Sequence, residues 1–431
     1  MKKTYIDTAM ERIAPDLILK GGNVVDVFSG RVIKADVIIK DGIICGVGSY
    51  SGENEQDVSG KYIMPGFIDS HVHIESSMTQ PSEYAKAVMP HGITTVIADP
   101  HEITNVCGED GLEFMLKSAK NIPLDVNLML PSCVPATPFE HTGANLDAKT
   151  TQKLAPKFFG IGEMMNYPGI VSGDDETLGK LCLDIIDGHA PLLSGHELDA
   201  YASVGIKTDH ECSVVEEMTE KISKGMYILL REGTLSLDVA KLIKGVTPYT
   251  LRRCAFCTDD RFVGEIIRDG SIDHCIRKAV SLGLNNIDAI IMATLNACEI
   301  YGMKNKGAIA PSYVADIVVA DDLNLSSISQ VYKNGKLVCE NGKALFECET
   351  VDNSKVTNTV HLPKISADFF KTDVKDKFDA IELIPESIIT KKVTVSYSDS
   401  LSKVCVIERH HNLGTKGIGF VTNYGITNGA I

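Results

Sequence analysis

The sequence predicts an α/β protein: a parallel (β/α)8, TIM-like barrel carrying a small β-sandwich assembled from both of its flanks. Three observations carry this. Between about 65 and 305, eight short apolar runs recur, most followed by a stretch of helical period. Polar residues gather at the ends of those runs, where a parallel barrel forms its mouth. Two β-rich segments with glycine turns bracket this middle.

Residues 1–64 supply the first part of the sandwich. DLILKGGNVVDV, RVIKADVIIKDGIICGVG and KYIMPGFID alternate apolar and polar residues, with Gly-Gly and Asp-Gly at the turns, which is hairpin chemistry. Residues 65–305 form the barrel. Its apolar runs are GFIDSHVH, GITTVIADP, PLDVNLMLPS, FFGIGEMM, DGHAPLL, GIKTDHE, GMYILLREG and CAFCTDD. Helical period follows in PSEYAKAVMP, EDGLEFMLKSAK, DETLGKLCLDIID, SVVEEMTEKISK and LSLDVAKLIKG. Residues 306–350 return to the hairpin signature and complete the sandwich, with Asn334-Gly335 and Asn341-Gly342 as turns. Residues 351–431 read as a third, more polar α+β segment.

The chain has 431 residues, enough for two or three domains, with 44% hydrophobic and 23% charged residues, a globular composition. A formal net charge of -15 repels phosphate backbones and argues against a nucleic-acid partner, though not against a neutral base. The N-terminal segment lacks the apolar stretch of a signal peptide, and no run is long enough to span a membrane. Twelve scattered cysteines then read as reduced thiols, and a cytoplasmic location is expected.

The chemistry lies at the strand ends. His71 and His73 close GFIDSHVH, two apart on one strand face, so both imidazoles can reach one cation. Glu163 ends GIGE, His189 follows DG, His210 lies in TDHE and Asp259 in CTDD. One buried histidine is more often a satisfied core residue than a ligand, and one strand-end carboxylate is usually a helix cap. Six such donors on one rim of a barrel are a metal centre. Imidazole and carboxylate suit zinc, iron(II) or manganese. Six donors exceed what one tetrahedral ion needs, so two ions sharing a carboxylate are expected, with water ionised between them at neutral pH. A strand-end aspartate can touch both metal and water, which makes Asp259 the candidate proton shuttle.

These residues carry a resemblance. HVHIESSM, ADPHEI, GIGEMMN, DGHAPLLSG, TDHE, LLREG and CTDDR, in that order over about 17 to 431, resemble the adenine deaminase family of the amidohydrolase superfamily. The resemblance implies a distorted barrel and a divalent metal pair, usually manganese or iron(II), with zinc an option. It implies that His71 and His73 bind one metal, that His189 and His210 bind the other, and that Glu163 bridges them. Relatives such as hydantoinases and dihydroorotases often place a carboxylated lysine at that position, and here it is Glu163. The implied reaction is hydrolytic deamination of adenine to hypoxanthine and ammonia by a metal-bridged hydroxide, a step of adenine catabolism and purine salvage. Adenine and water are the implied small-molecule partners, with no nucleic acid or membrane. A homo-oligomer, a dimer, is expected by analogy.

Other residues keep two readings. Asp99, His101 and Glu102 either orient the base, support a metal, or cap the turn at Pro100. Glu75, Ser76 and Ser77 contact substrate or simply start a helix. Arg231 and Glu232 pair with each other or face the pocket, and Asp260 supports Asp259. Cys254 and Cys257 point to opposite strand faces, so a zinc knuckle is not expected. Arg409, His410 and His411 read as surface residues with some chance of closing the site. Three rivals remain: a cyclic amidohydrolase, favoured by a lysine in place of Glu163; a catalytically impaired, truncated scaffold; and a deaminase whose substrate is another aminopurine or a related amidine. The family pattern normally continues past GFVTNYGITNGAI, which puts the third segment's contribution in question.

Overall fold

The computed structural model describes residues 2–373, 376–385, 390–398 and 401–425. Eight barrel strands are present: Phe67–Val72 (β1), Ile93–Ala98 (β2), Asp125–Leu130 (β3), Gly160–Met164 (β4), Ile186–Gly188 (β5), Thr208–Asp209 (β6), Tyr227–Arg231 (β7) and Cys254–Cys257 (β8). They coincide with the eight apolar runs. Every residue of β1, β2, β4 and β8 is buried. Helices cover one face of a parallel barrel strand and side chains fill the other, so such strands read as continuous rather than alternating apolar runs.

The barrel is distorted: β5-β4-β3-β2-β1 form one parallel sheet and β6-β7-β8 a second. The seam between β8 and β1 closes just beyond β8. Val72 bridges to Asp259. The Asp259 N–H donates to the His71 carbonyl at 2.9 Å, and the His73 N–H donates to the Asp259 carbonyl at 3.1 Å. The paired histidines and the aspartate thus meet because the backbone zips them together.

The flanking β-rich segments form one nine-stranded sheet. The C-terminal strand Ile317–Ala320 pairs antiparallel with Tyr62–Pro65 from the N-terminal flank. The sheet curls until Ile43 bridges back to Val314, so its inner face packs on itself around Leu19, Val37, Ile44, Ile63 and Ile317. At Asp41-Gly42 and Asn334-Gly335 both central residues take positive φ, as a tight primed hairpin turn requires.

One expected helix is much shorter. DETLGKLCLDIID forms only Asp175–Leu178, capped by the Asp174 carboxylate on the Thr177 N–H at 2.8 Å. Gly179 ends it where the chain closes on Ala148, a contact that leaves little room for a side chain. Among the described residues after 351, four strands form a sheet in the order Thr390–Ser396, Lys377–Leu383, Lys416–Thr422, Ser402–Ile407. No helix among the described residues is long and apolar enough to cross a membrane.

Candidate metal centre

The six strand-end donors converge. His71 and His73 stand with their Nε2 atoms 3.1 Å apart, and Asp259 Oδ1 lies 3.1 Å from His73 Nε2 and 3.6 Å from His71 Nε2. Glu163 sits in the middle. Its Oε1 faces His73 Nε2 at 3.4 Å, and its Oε2 faces His189 Nδ1 at 2.6 Å and His210 Nε2 at 3.1 Å. One carboxylate therefore presents its two oxygens to two separate groups of imidazoles.

His101 joins them, with Nδ1 3.1 Å from Glu163 Oε1. Helix His101–Ser118 begins directly beyond β2, so its first residues face the mouth. Neither His101 Nδ1 nor His210 Nε2 is aligned to hydrogen-bond with the glutamate, despite the short separations. His210 Nδ1, Asp99 Oδ1, Glu75 Oε2 and Glu102 Oε2 are likewise buried without a hydrogen-bond partner. Buried polar atoms are ordinarily satisfied. Imidazole and carboxylate atoms within 4.8 Å of one another, some of them without a hydrogen-bond partner, fit a cation site, and the donor chemistry suits divalent ions.

The electrostatics agree. Burial alone would raise the Glu163 carboxyl, but His189, His101 and His210 reverse this and hold it well below the usual range. Burial likewise opposes ionised Asp259, and His73, His210 and His71 overcome it. The imidazoles move the other way. His189 is raised to about 9 and His101 to about 10, with burial outweighed chiefly by the Glu163 and Glu102 carboxylates.

A second ring of residues orients the first. Asp187 Oδ2 lies 3.4 Å from His71 Nδ1 and accepts, at Oδ1, from Thr208 and Tyr301 hydroxyls at 2.8 and 2.9 Å. His73 Nδ1 is 2.8 Å from the Asp99 carbonyl, so it donates there and turns Nε2 to the site. The Asp99 carboxylate lies behind Glu163 and accepts its N–H at 2.9 Å. Gly162 makes this possible, because a Cβ there would run into that carboxylate.

Arg231 and Glu232 part company, since neighbours on a strand point to opposite faces. Arg231 donates to Asp259 Oδ2 at 2.9 Å, to Asp238 at 3.1 Å and to Glu211, while Glu232 pairs with Lys278. The Ser76 hydroxyl donates to Asp260, which is exposed at the rim. Glu75 is half-buried beside Glu102 and accepts the Ile103 N–H at 3.3 Å; loss of solvent, then Glu102, pushes its carboxyl up to about 8. Ser77 turns inward onto its own backbone, donating to the Ile74 carbonyl. Cys254 and Cys257 are both buried free thiols. His411 Nε2 lies 3.1 Å from the Thr142 carbonyl, on the loop after β3, and a Cβ on Gly143 would meet His410 Nδ1 at 2.9 Å. These histidines are thus packed on a mouth loop.

Glu211, Asp187 and Asp69 escaped the reading of the sequence. Glu211 Oε1 is 3.6 Å from His210 Nε2 and 3.8 Å from His189 Nδ1. Asp69, within β1, accepts the Thr258 N–H at 3.0 Å and hydroxyl at 2.5 Å, tying β1 to the loop that carries Asp259. A carboxylate one or two residues from a strand-end histidine was the available signal.

Known proteins resemble this chain in sequence and in fold. The amidohydrolase family model matches residues 62–338. An adenine deaminase from Clostridium acetobutylicum is 47% identical over 99% of this chain and 78% of its own length. Adenine deaminase 2 from Desulfotalea psychrophila is 44% identical over 100% of this chain and 78% of its own. Among solved structures, a β-aspartyl dipeptidase from Fervidobacterium islandicum superimposes with a TM-score of 0.56 at 20% identity, over 78% of this chain and 99% of that one, a likeness of fold.

Proposed function

Because this chain belongs to the amidohydrolase family, and within it to the adenine deaminases, we propose that the donor cluster at its barrel mouth hydrolyses adenine to hypoxanthine and ammonia. The observation that carries this is the Glu163 carboxylate, whose two oxygens face two separate imidazole groups. His71 and His73 with Asp259 would hold one divalent cation, and His189 with His210 the other. Glu163 would lie between them. Manganese or iron(II) is the proposed pair, with zinc an alternative. Such a pair, when bound, makes water acidic enough to supply hydroxide at neutral pH.

The chain's own groups do the rest. Arg231 occupies Asp259 Oδ2 and leaves Oδ1 toward the cluster, so the aspartate stays ionised with one oxygen available. Asp259 would take a proton from water as its oxygen adds at C6 of the base, then return a proton to the departing amine. One water is consumed and one ammonia leaves. Glu75 and Glu102, with His101, are the proposed contacts to the ring, and Ser76 with Asp260 those at the rim. All twelve cysteines are unpaired, which fits a reducing compartment such as the cytoplasm. A homodimer is proposed by analogy and is checked by sedimentation.

Ammonia release should be measured over a panel of free bases, nucleosides and cyclic amides with manganese added. Adenine should be the substrate that reacts, and His71→Ala should abolish the reaction. Release that survives His71→Ala would refute the mechanism.

A further inference from the structure

The barrel is open along one line. β5 ends the first sheet and β6 begins the second, and the bonds that cross between these lips run through side chains. The Gly188 N–H donates to the Thr208 hydroxyl at 3.1 Å, and the Ala190 N–H donates to Asp209 Oδ2 at 2.9 Å. His189 sits on one lip, between Gly188 and Ala190. His210 sits on the other, directly after Asp209. Both rings bring a nitrogen close to the same oxygen, Glu163 Oε2, at 2.6 and 3.1 Å. The spacing of the two lips therefore sets the spacing of this donor pair.

Lys221 lies across that line. It comes from helix Val215–Ser223, which follows β6, and its side chain is 0% exposed. Its ammonium donates to the Ala190 carbonyl at 2.7 Å on the β5 lip and stands 3.1 Å from Asp209 Oδ2 on the β6 lip. It also donates to Glu217 at 2.7 Å, and Glu217 in turn accepts the Leu192 N–H at 2.8 Å, back on the β5 side. A lysine almost never lies fully buried unless it is paired. This one touches a group on each lip, each adjacent in sequence to a histidine of the site.

We infer that Lys221 is a positioning residue that clasps the β5 and β6 lips and so holds His189 and His210 at the separation one divalent cation needs. The inference rests on the two-cation reading above. It assigns to Lys221 a role toward the His189–His210 cation alone, since His71, His73 and Asp259 are joined by their own backbone bonds across the β8–β1 seam. A buried lysine that merely stabilised the fold would affect both cations alike.

The test is manganese binding to the full chain after metal removal, read by equilibrium dialysis with elemental analysis, alongside circular dichroism of the metal-free protein. Wild type should take two equivalents. Lys221→Met should keep one at wild-type affinity and bind the other ~10–100-fold more weakly, the usual effect of removing a group that orients a ligand. Lys221→Arg, which keeps the charge, should recover most of that loss. If Lys221→Met does not fold, Asp209→Asn opens the same clasp from the other side, with the same selective loss expected. Two equivalents bound to the variant as tightly as to wild type would overturn the inference, and so would equal weakening of both. Wild type that takes no stoichiometric manganese would instead remove the two-cation reading, and this inference with it.

Discussion

Two buried polar clusters sit at opposite ends of the barrel, and they differ in what they leave over. At the floor, where β3 begins, Lys306 and Lys333 meet Asp125 and Asp316. Lys333 lies 2.7 Å from both carboxylates, and Lys306 lies 2.6 Å from Asp316 and also pairs with Asp125. Two cations face two anions, and Asp316 Oδ1 also accepts the Asn334 N–H at 3.0 Å. Nothing there asks for a ligand; the cluster joins barrel to sheet. At the mouth, imidazoles and carboxylates crowd together with buried ring nitrogens and carboxylate oxygens left unpartnered. Burial of charge alone therefore does not mark a functional site. What marks it is a surplus of unmatched donors gathered within reach of one another.

The sharpest break between the ends should come from Asp259→Asn. The amide keeps the shape and the Arg231 contact but cannot accept the proton. Losing a general base costs ~10²–10⁴-fold, so kcat for adenine should fall by that much while the melting temperature hardly moves. A variant retaining more than about a tenth of wild-type kcat would show that Asp259 does not carry the proton.

The floor should respond the other way. Lys333→Met leaves Asp316 and Asp125 with only Lys306. Breaking a buried pair costs ~3–5 kcal/mol, and the lower end, about 3, applies because Lys306 remains and Asp125 is 39% exposed. The urea midpoint should drop accordingly, with kcat per folded molecule and manganese content unchanged. A loss of bound manganese in this variant would mean that the two clusters are coupled through the barrel.

Gly162→Ala probes the mouth without touching a donor. Its methyl would collide with the Asp99 carboxylate and displace the Glu163 backbone that this carboxylate holds. Affinity for manganese should fall ~10–100-fold, as for other groups that orient ligands. Unchanged affinity would place the Asp99 contact outside the centre's support.

How far these ends could be read from the sequence follows from the same contrast. The β-strands were legible because their two covered faces make uninterrupted apolar runs, and the six donors because each closes such a run. Lys221 and Glu217 were not. Four apart on a helix, they read as a surface ion pair, and only packing under β5 and β6 buries them. Glu211 sits in a polar turn, where a carboxylate ordinarily caps a helix. The floor cluster draws on positions as distant as Asp125 and Lys333, which no local pattern links. His101 keeps two readings in the sequence, because the turn at Pro100 explains a polar residue equally well until the fold sets Glu163 beside it.

The smallest effect, and the one that compares both ends in a single experiment, is pH. At the floor, burial would raise the Asp316 carboxyl, but Lys333 and Lys306 hold it below its ordinary value. Its folded value lies below the unfolded one of about 3.9, so its stabilisation is present above that pH and is lost as pH falls through the folded value. At the mouth of the metal-free protein, burial would lower His189, but Glu163 raises it to about 9. Its folded value lies above the unfolded one of about 6.5, so that stabilisation is complete below this pH and fades as pH rises through the folded value. Urea midpoints of metal-free protein should therefore decline at both ends of the range. His189→Gln should lessen only the alkaline decline, since His101 is raised as well, and Lys333→Met only the acid one. Manganese should abolish the alkaline decline, because a cation binds the neutral ring and displaces the proton whose loss causes it. An alkaline decline that manganese leaves untouched would place its origin away from the mouth and leave the surplus of donors there without a titration of its own.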